Sequence, residues 1–106
     1  MTDKAPERCD ILIRNGTVVD GTGGPSRRAD VAVTDDRIVA VGDLARTEGG
    51  REIDAGGLVV APGFIDVHTH DDYVLLSKPE MTPKLSQGVT TVVVGNCGVS
   101  VAPLKT

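Results

Sequence analysis

The chain has 106 residues and a formal net charge of −4, and its length is sufficient for one modest hydrophobic core. Because it contains one Phe, one Tyr and no Trp, that core must be built from Val, Ile, Leu and Ala. Its basic residues are scattered, and no apolar run approaches the roughly 20 residues that span a bilayer, which argues against nucleic-acid and membrane partners. A cytoplasmic protein is the expectation.

The first 61 residues have the composition of short β-strands. Residues 9–20, CDILIRNGTVVD, contain two β-rich runs around Asn15-Gly16, a dipeptide favoured in two-residue hairpin turns because both positions tolerate positive φ. A second hairpin is predicted for residues 29–42, ADVAVTDDRIVAVG, and two further strands for REIDA and GLVVA. Cys9, at the start of the first run, is expected to be structural.

The pattern changes after Pro62-Gly63. A strand is predicted at 64–69, a helical stretch within 72–87, and a strand, VTTVVV, at 89–94. In the helical stretch, Thr82 is the expected N-cap, Pro83 the first helical residue and Gly88 the stop. A strand, a helix and a strand over this length form a βαβ unit with parallel strands, so the fold class is mixed α/β.

The stretch FIDVHTHDD, residues 64–72, contains the only two histidines of the chain. Strand alternation places Asp66, His68 and His70 on one face, where two imidazoles can converge on Zn²⁺ and Asp66 can support them. The alternative is a polar pair on a solvated face. The position at the carboxyl end of a parallel strand, where sites form in α/β folds, favours the metal.

A cysteine follows the next strand, in GNCG at 95–98, and the parallel arrangement brings Cys97 to the same edge as the histidines. Its thiolate would be a strong zinc ligand. The alternative is a small buried residue, although the flanking Gly95 and Gly98 favour a specially shaped loop. Asp71 and Asp72 are expected to cap the following helix rather than to bond a histidine or to be loop charges.

With these residues in place, the segment GLVVAPGFIDVHTH, residues 57–70, resembles the amidohydrolase superfamily. The continuation to Leu104 is similar to the D-aminoacylase group, the N-acyl-D-amino-acid deacylases. The resemblance implies that residues 1–61 are the N-terminal part of a β-sandwich domain. It also implies that residues 62–106 begin a (β/α)₈ TIM-barrel, here truncated.

The resemblance also implies a chemistry. His68 and His70 would bind the more weakly held metal, and Cys97 would ligate the tightly bound zinc and can bridge the two, with Asp66 and Asn96 in supporting roles. Two more histidine ligands and the catalytic aspartate would lie beyond residue 106. The full enzyme would hydrolyse an N-acyl-D-amino acid to a carboxylate and a D-amino acid, and the 106-residue chain alone is predicted to be inactive.

Two alternatives remain open. A dihydroorotase or hydantoinase would share the first barrel strand, although GNCG argues against these relatives. A non-catalytic β-rich binding or assembly module would make the His-x-His incidental. The open edges of the two barrel strands further predict either association or strand exchange between copies, or a partly disordered C-terminal half.

Overall fold

The computed structural model describes residues 4–101, and the chain divides into two compact units after Pro62. The strands of the first unit are β1 (Arg8–Val18), β2 (Arg27–Thr34), β3 (Arg37–Gly42), β4 (Glu48–Asp54) and β5 (Val59–Val60). They form one sheet in the order β3-β2-β1-β4, with β5 also paired to β1.

The predicted hairpin at Asn15-Gly16 is wrong. β1 runs through this dipeptide as one strand, and its register against antiparallel β2 shifts between Ile13 and Gly16. Asn15 has φ 63°, so the dipeptide adopts the positive φ that was expected of it, but in a β-bulge instead of a turn. At the bulge β1 changes its parallel partner, from β4 before it to β5 after it.

Gly16 permits the second of these pairings. A Cβ at this position would lie 2.5 Å from Cγ2 of Val60, so only glycine lets β5 approach β1 this closely.

The second predicted hairpin is confirmed. β2 and β3 are antiparallel neighbours, and Asp35 occupies the turn with φ 52°. The apolar faces of β1 and β2 enclose a small core that includes Leu12, which is fully buried. Cys9 lies in this core, as expected of a structural cysteine.

The second unit consists of β6 (Phe64–Thr69), α1 (Asp72–Ser77), α2 (Thr82–Leu85) and β7 (Val89–Val94). Both strands have the predicted bounds, and they pair in parallel, so the predicted βαβ unit is present. The helical stretch is two short helices. The N-cap of α2 is Met81 rather than Thr82, and Thr82 begins the helix.

The predicted stop at Gly88 is wrong, because α2 ends at Leu85 with Ser86 as its C-cap; Gly88, with φ 83°, instead ends the turn that leads into β7. Within residues 4–101, no helix has the length and apolar character needed to cross a membrane.

The β-rich first unit and the βαβ unit confirm the mixed α/β class. The assignment of 1–61 and 62–106 to two named domains stays a prediction.

Candidate metal centre

Three potential metal ligands meet at one edge of the β6–β7 sheet. His68 lies in β6, His70 directly follows β6, and Cys97 lies in the loop after β7. Because the two strands are parallel and Thr69 is the register partner of Val94, their carboxyl ends emerge side by side. The ligand atoms of the three residues all lie within 4.8 Å of one another. The two imidazole rings have centroids 5.9 Å apart and are tilted by 58°.

The donor set suits zinc. Two imidazole nitrogens and one thiolate sulfur are ligands that Zn²⁺ prefers. All three side chains are exposed, so an ion can reach them from solvent. Cys97 is thus not the small buried residue that was the alternative, whereas Cys9 is buried.

The loop that carries Cys97 has a defined shape. Gly95 and Gly98 have φ values of 79° and 80°, which an L residue rarely adopts, and Gly98 N–H donates to the Gly95 carbonyl. Asn96 Nδ2 donates to the Val67 carbonyl of β6 at 2.9 Å. This hydrogen bond fastens the loop to the strand that bears the histidines.

The predicted capping role of Asp71 and Asp72 is wrong. Asp71 stands at the N-cap position of α1 but forms no side-chain cap hydrogen bond. Asp72 is only 8% exposed, and its Oδ2 accepts hydrogen bonds from Ser100 Oγ at 3.0 Å and Val101 N at 3.2 Å. The carboxylate therefore ties the far end of the Cys97 loop to the start of α1.

Lys84 of α2 is a residue that sequence reasoning missed. Its Nζ lies 2.5 Å from Asp66 Oδ2 and 3.3 Å from Asp71 Oδ2, so it bridges carboxylates on either side of the histidine pair. Asp66 Oδ1 also accepts from the His68 backbone N–H at 3.2 Å. A lysine on a short polar helix is usually solvated, so the sequence contained no signal of this role.

The electrostatics of this cluster favour its charged forms. The hydrogen bond from Lys84, followed by that from the His68 N–H, lowers the pKa of Asp66. The Thr69 hydroxyl, followed by Lys84, lowers the pKa of Asp71. The hydrogen bond to Asp66 raises the pKa of Lys84. The cluster is therefore a lysine ammonium between two carboxylates at neutral pH.

A model of the amidohydrolase family matches residues 51–104, just over half of the chain. The chain belongs to the amidohydrolase family. The matched segment contains β6, β7 and all three potential ligands of the metal centre.

Relatives within the amidohydrolase family are similar over nearly the whole chain. N-acyl-D-aspartate deacylase of Alcaligenes xylosoxydans xylosoxydans is 60% identical over 97% of the chain, which covers 21% of that protein. D-aminoacylase of the same organism is 56% identical over 98% of the chain, which covers 22% of it.

A solved structure extends the similarity to the fold. The N-acyl-D-glutamate deacylase of Bordetella bronchiseptica, complexed with zinc and a phosphonate mimic of the reaction's tetrahedral intermediate, is 56% identical. It superimposes with a TM-score of 0.85 over 92% of this chain and 20% of its own. The chain thus spans about a fifth of the length of these relatives, and its β-rich segment and βαβ unit have the amidohydrolase fold.

Proposed function

We propose that the chain is the N-terminal portion of a zinc-dependent amidohydrolase that cleaves the amide bond of N-acyl-D-amino acids. The observation that carries the proposal is the convergence of His68, His70 and Cys97 within 4.8 Å at the carboxyl edge of two parallel strands. The identities of 56–60% to deacylases of acyl-D-amino acids support this substrate class.

Each residue of the centre has a proposed role. His68 and His70 present imidazole nitrogens, and Cys97 presents a sulfur from the loop after the neighbouring strand β7. Asn96 holds the Cys97 loop against β6 through the Val67 carbonyl, and Asp66 accepts from the backbone of His68. These two residues keep the donors facing one another.

Zinc, when bound, supplies Lewis-acid activation of water and of an acyl carbonyl. The chain's own contribution is to place two imidazoles and one thiolate at an edge that solvent and a small substrate can reach. The general base of the reaction is expected to be an aspartate beyond residue 106. No residue of this chain is proposed to transfer the proton.

Metal binding tests the proposal. Titration of the chain with Co²⁺ as a spectroscopic probe should produce a thiolate charge-transfer band that Zn²⁺ abolishes by displacement. Cys97→Ser should remove the band and His68→Ala should weaken binding, while Cys9→Ser, which alters the buried cysteine, serves as the matched control. Zinc binding that is indifferent to Cys97 and His68 would favour a β-rich binding module with an incidental His-x-His.

Activity is expected to need the rest of the protein. Because the chain spans about a fifth of its relatives, we expect it to bind zinc without hydrolysing N-acetyl-D-glutamate or N-acetyl-D-aspartate. Release of a D-amino acid by the purified chain, dependent on zinc and lost in Cys97→Ser, would contradict this expectation.

We also infer self-association of the isolated chain. Within the part that the structure describes, β6 and β7 pair only with each other, and open strand edges pair readily with further strands. Light scattering should show a mass that rises with concentration, and a monomer at high concentration would contradict the inference. The domain assignment of residues 1–61 and 62–106 and a cytoplasmic location remain predictions alongside this proposal.

A further inference from the structure

Two carboxylates stand beside the metal centre without belonging to it. Asp66 precedes His68 by two residues in β6, and Asp71 directly follows His70. Nevertheless, among the described residues, the group of converging ligand atoms contains only His68, His70 and Cys97. The two acidic side chains nearest in sequence to the histidines are therefore directed elsewhere.

The ammonium group of Lys84 accounts for their direction. It lies 2.5 Å from Asp66 Oδ2 and 3.3 Å from Asp71 Oδ2, and the three side chains are only 30%, 28% and 21% exposed. At this degree of shielding, the ion pairs are screened less by solvent than those of fully exposed groups. One cation from α2 thus pairs with both carboxylates, through a hydrogen bond at Asp66 and through an ion pair alone at Asp71, whose Oδ2 accepts no hydrogen bond from the described residues.

Carboxylate oxygens would change the character of the centre. Thiolate and imidazole donors favour zinc, whereas carboxylates suit harder cations such as Mn²⁺ and Mg²⁺. Because Asp71 directly follows His70 in the chain, its release from Lys84 would leave a free carboxylate adjacent in sequence to a proposed ligand. Whether oxygen atoms join the nitrogen and sulfur ligands of the metal therefore depends on whether Asp66 and Asp71 are paired with another group.

We propose that Lys84 is a positioning residue that withholds Asp66 and Asp71 from the metal, so that the centre presents nitrogen and sulfur donors and selects zinc over harder cations. This inference rests on the proposed zinc centre. It assigns a role to α2, an element that carries none of the proposed ligands.

Competition binding of Zn²⁺ and Mn²⁺ tests the inference on the purified chain. In Lys84→Met the ratio of zinc to manganese affinity should fall by roughly tenfold or more, the scale on which residues behind metal ligands act. The Co²⁺ absorption spectrum should change as oxygen donors join the ion. Lys84→Arg, which keeps a cation between the carboxylates, should restore most of the ratio.

Two controls separate this role from a general structural one. Lys78→Met makes the same change at an exposed lysine of the same unit and should leave the ratio unchanged. The triple variant Lys84→Met/Asp66→Asn/Asp71→Asn lacks the released carboxylates, while the amide oxygen at position 66 can still accept from the His68 N–H, so it should recover the zinc preference. If Lys84→Met fails to fold, as judged by circular dichroism, Lys84→Gln provides the same comparison, because its neutral amide removes the cation that pairs with the carboxylates.

The outcomes are distinguishable. A wild-type chain that does not bind zinc through Cys97 would overturn the proposed function itself. Zinc binding by the wild type, with an unchanged zinc-to-manganese ratio in the folded Lys84→Met or Lys84→Gln variant, would overturn the role of Lys84 alone. A triple variant that loses zinc preference as strongly as Lys84→Met would do the same.

Discussion

Asp20 begins the glycine-rich loop between β1 and β2 and orders it through three hydrogen bonds. Its Oδ1 accepts from the Thr22 hydroxyl at 2.6 Å and the Thr22 N–H at 3.0 Å, and its Oδ2 accepts from Arg27 Nη1 at 3.0 Å. These contacts, with the Thr22 hydroxyl the largest, lower the pKa of Asp20 to about 2. The loop is therefore closed around an ionised carboxylate.

The stability of the fold should reflect this carboxylate at acid pH. In the unfolded chain the pKa of Asp is near 3.9, so the interaction stabilises the fold above that value. The contribution is lost as the pH falls toward the folded pKa of about 2. Urea unfolding should show that Asp20→Asn destabilises the chain at neutral pH and that the difference from wild type shrinks between about pH 4 and pH 2.

Asp36→Asn is a matched control for this effect, since the Asp36 side chain is 89% exposed. Its difference from wild type should be small at every pH in that range. A constant deficit of Asp20→Asn from neutral pH to about pH 2 would show that the carboxylate does not act through its charge.

At the scale of an element, β1 is the strand that organises the first unit. It pairs with β2 on one side and with β4 and then β5 on the other, and the bulge at Asn15 marks the change of partner. The Asn15 N–H donates to Asp30 Oδ1 of β2 at 2.9 Å. The side-chain Nδ2 of Asn15 donates to Asp54 Oδ1 of β4 at 3.4 Å, so Asn15 has a partner on each flanking strand.

The bulge predicts an order of stability for substitutions at Asn15. Asn15→Val should be less stable than Asn15→Gly by about 1–2 kcal/mol, because a β-branched residue is strained at positive φ and glycine is not. Both variants lose the Asn15 side chain, so their comparison isolates the backbone term. Equal free energies of unfolding in urea would contradict a bulge at this position.

Asp72 joins α1 to the loop after β7, and its removal should loosen that loop. Asp72→Ala should speed hydrogen exchange of the Val101 amide, which loses its acceptor, and should weaken zinc binding through the loosened Cys97 loop. Glu80→Ala, at an exposed acidic residue between the two helices, should change neither measurement. Unchanged exchange at Val101 in Asp72→Ala would show that another contact holds the loop.

Sequence reasoning succeeded where local pattern decides the structure. The bounds of β6 and β7 agree with their apolar runs, and strand alternation with the parallel βαβ arrangement brought His68, His70 and Cys97 together. It failed at Asn15-Gly16, because the same dipeptide serves a turn or a bulge, and partners 15 residues or more away decide between them. The role of Lys84 was not predicted for the same reason, since the carboxylate that it binds, on Asp66, lies 18 residues away in the sequence.

At the scale of the whole molecule, burial is uneven along the chain. Among residues 4–101, every buried hydrophobic residue lies between Cys9 and Ala55, whereas Phe64, Ile65 and Val67 of β6 are each about 60% exposed. Local stability follows the number of buried apolar contacts. The two strands that carry the candidate metal centre are therefore the less protected part of the chain.

Hydrogen exchange should report this difference. Backbone amides of β1 and β2 should exchange more slowly than those of β6 and β7, and saturating zinc should slow exchange in β6 and β7, because a ligand stabilises the state that binds it. The Cys97→Ser variant should show the first pattern without the response to zinc. Equal protection of the two sheets in the absence of metal would contradict the prediction.

The contrast between the two cysteines has a practical consequence for redox chemistry. Cys9 is buried and donates to the Ile11 carbonyl, whereas Cys97 is exposed at the edge of β7. An oxidant in solution therefore meets one thiol and not the other, and conversion of that thiol to a sulfenic acid or a disulfide removes the sulfur donor. Loss of the metal would expose the Cys97 thiol to oxidation, and oxidation would prevent the metal from binding again. Bound zinc would therefore protect Cys97 from oxidation.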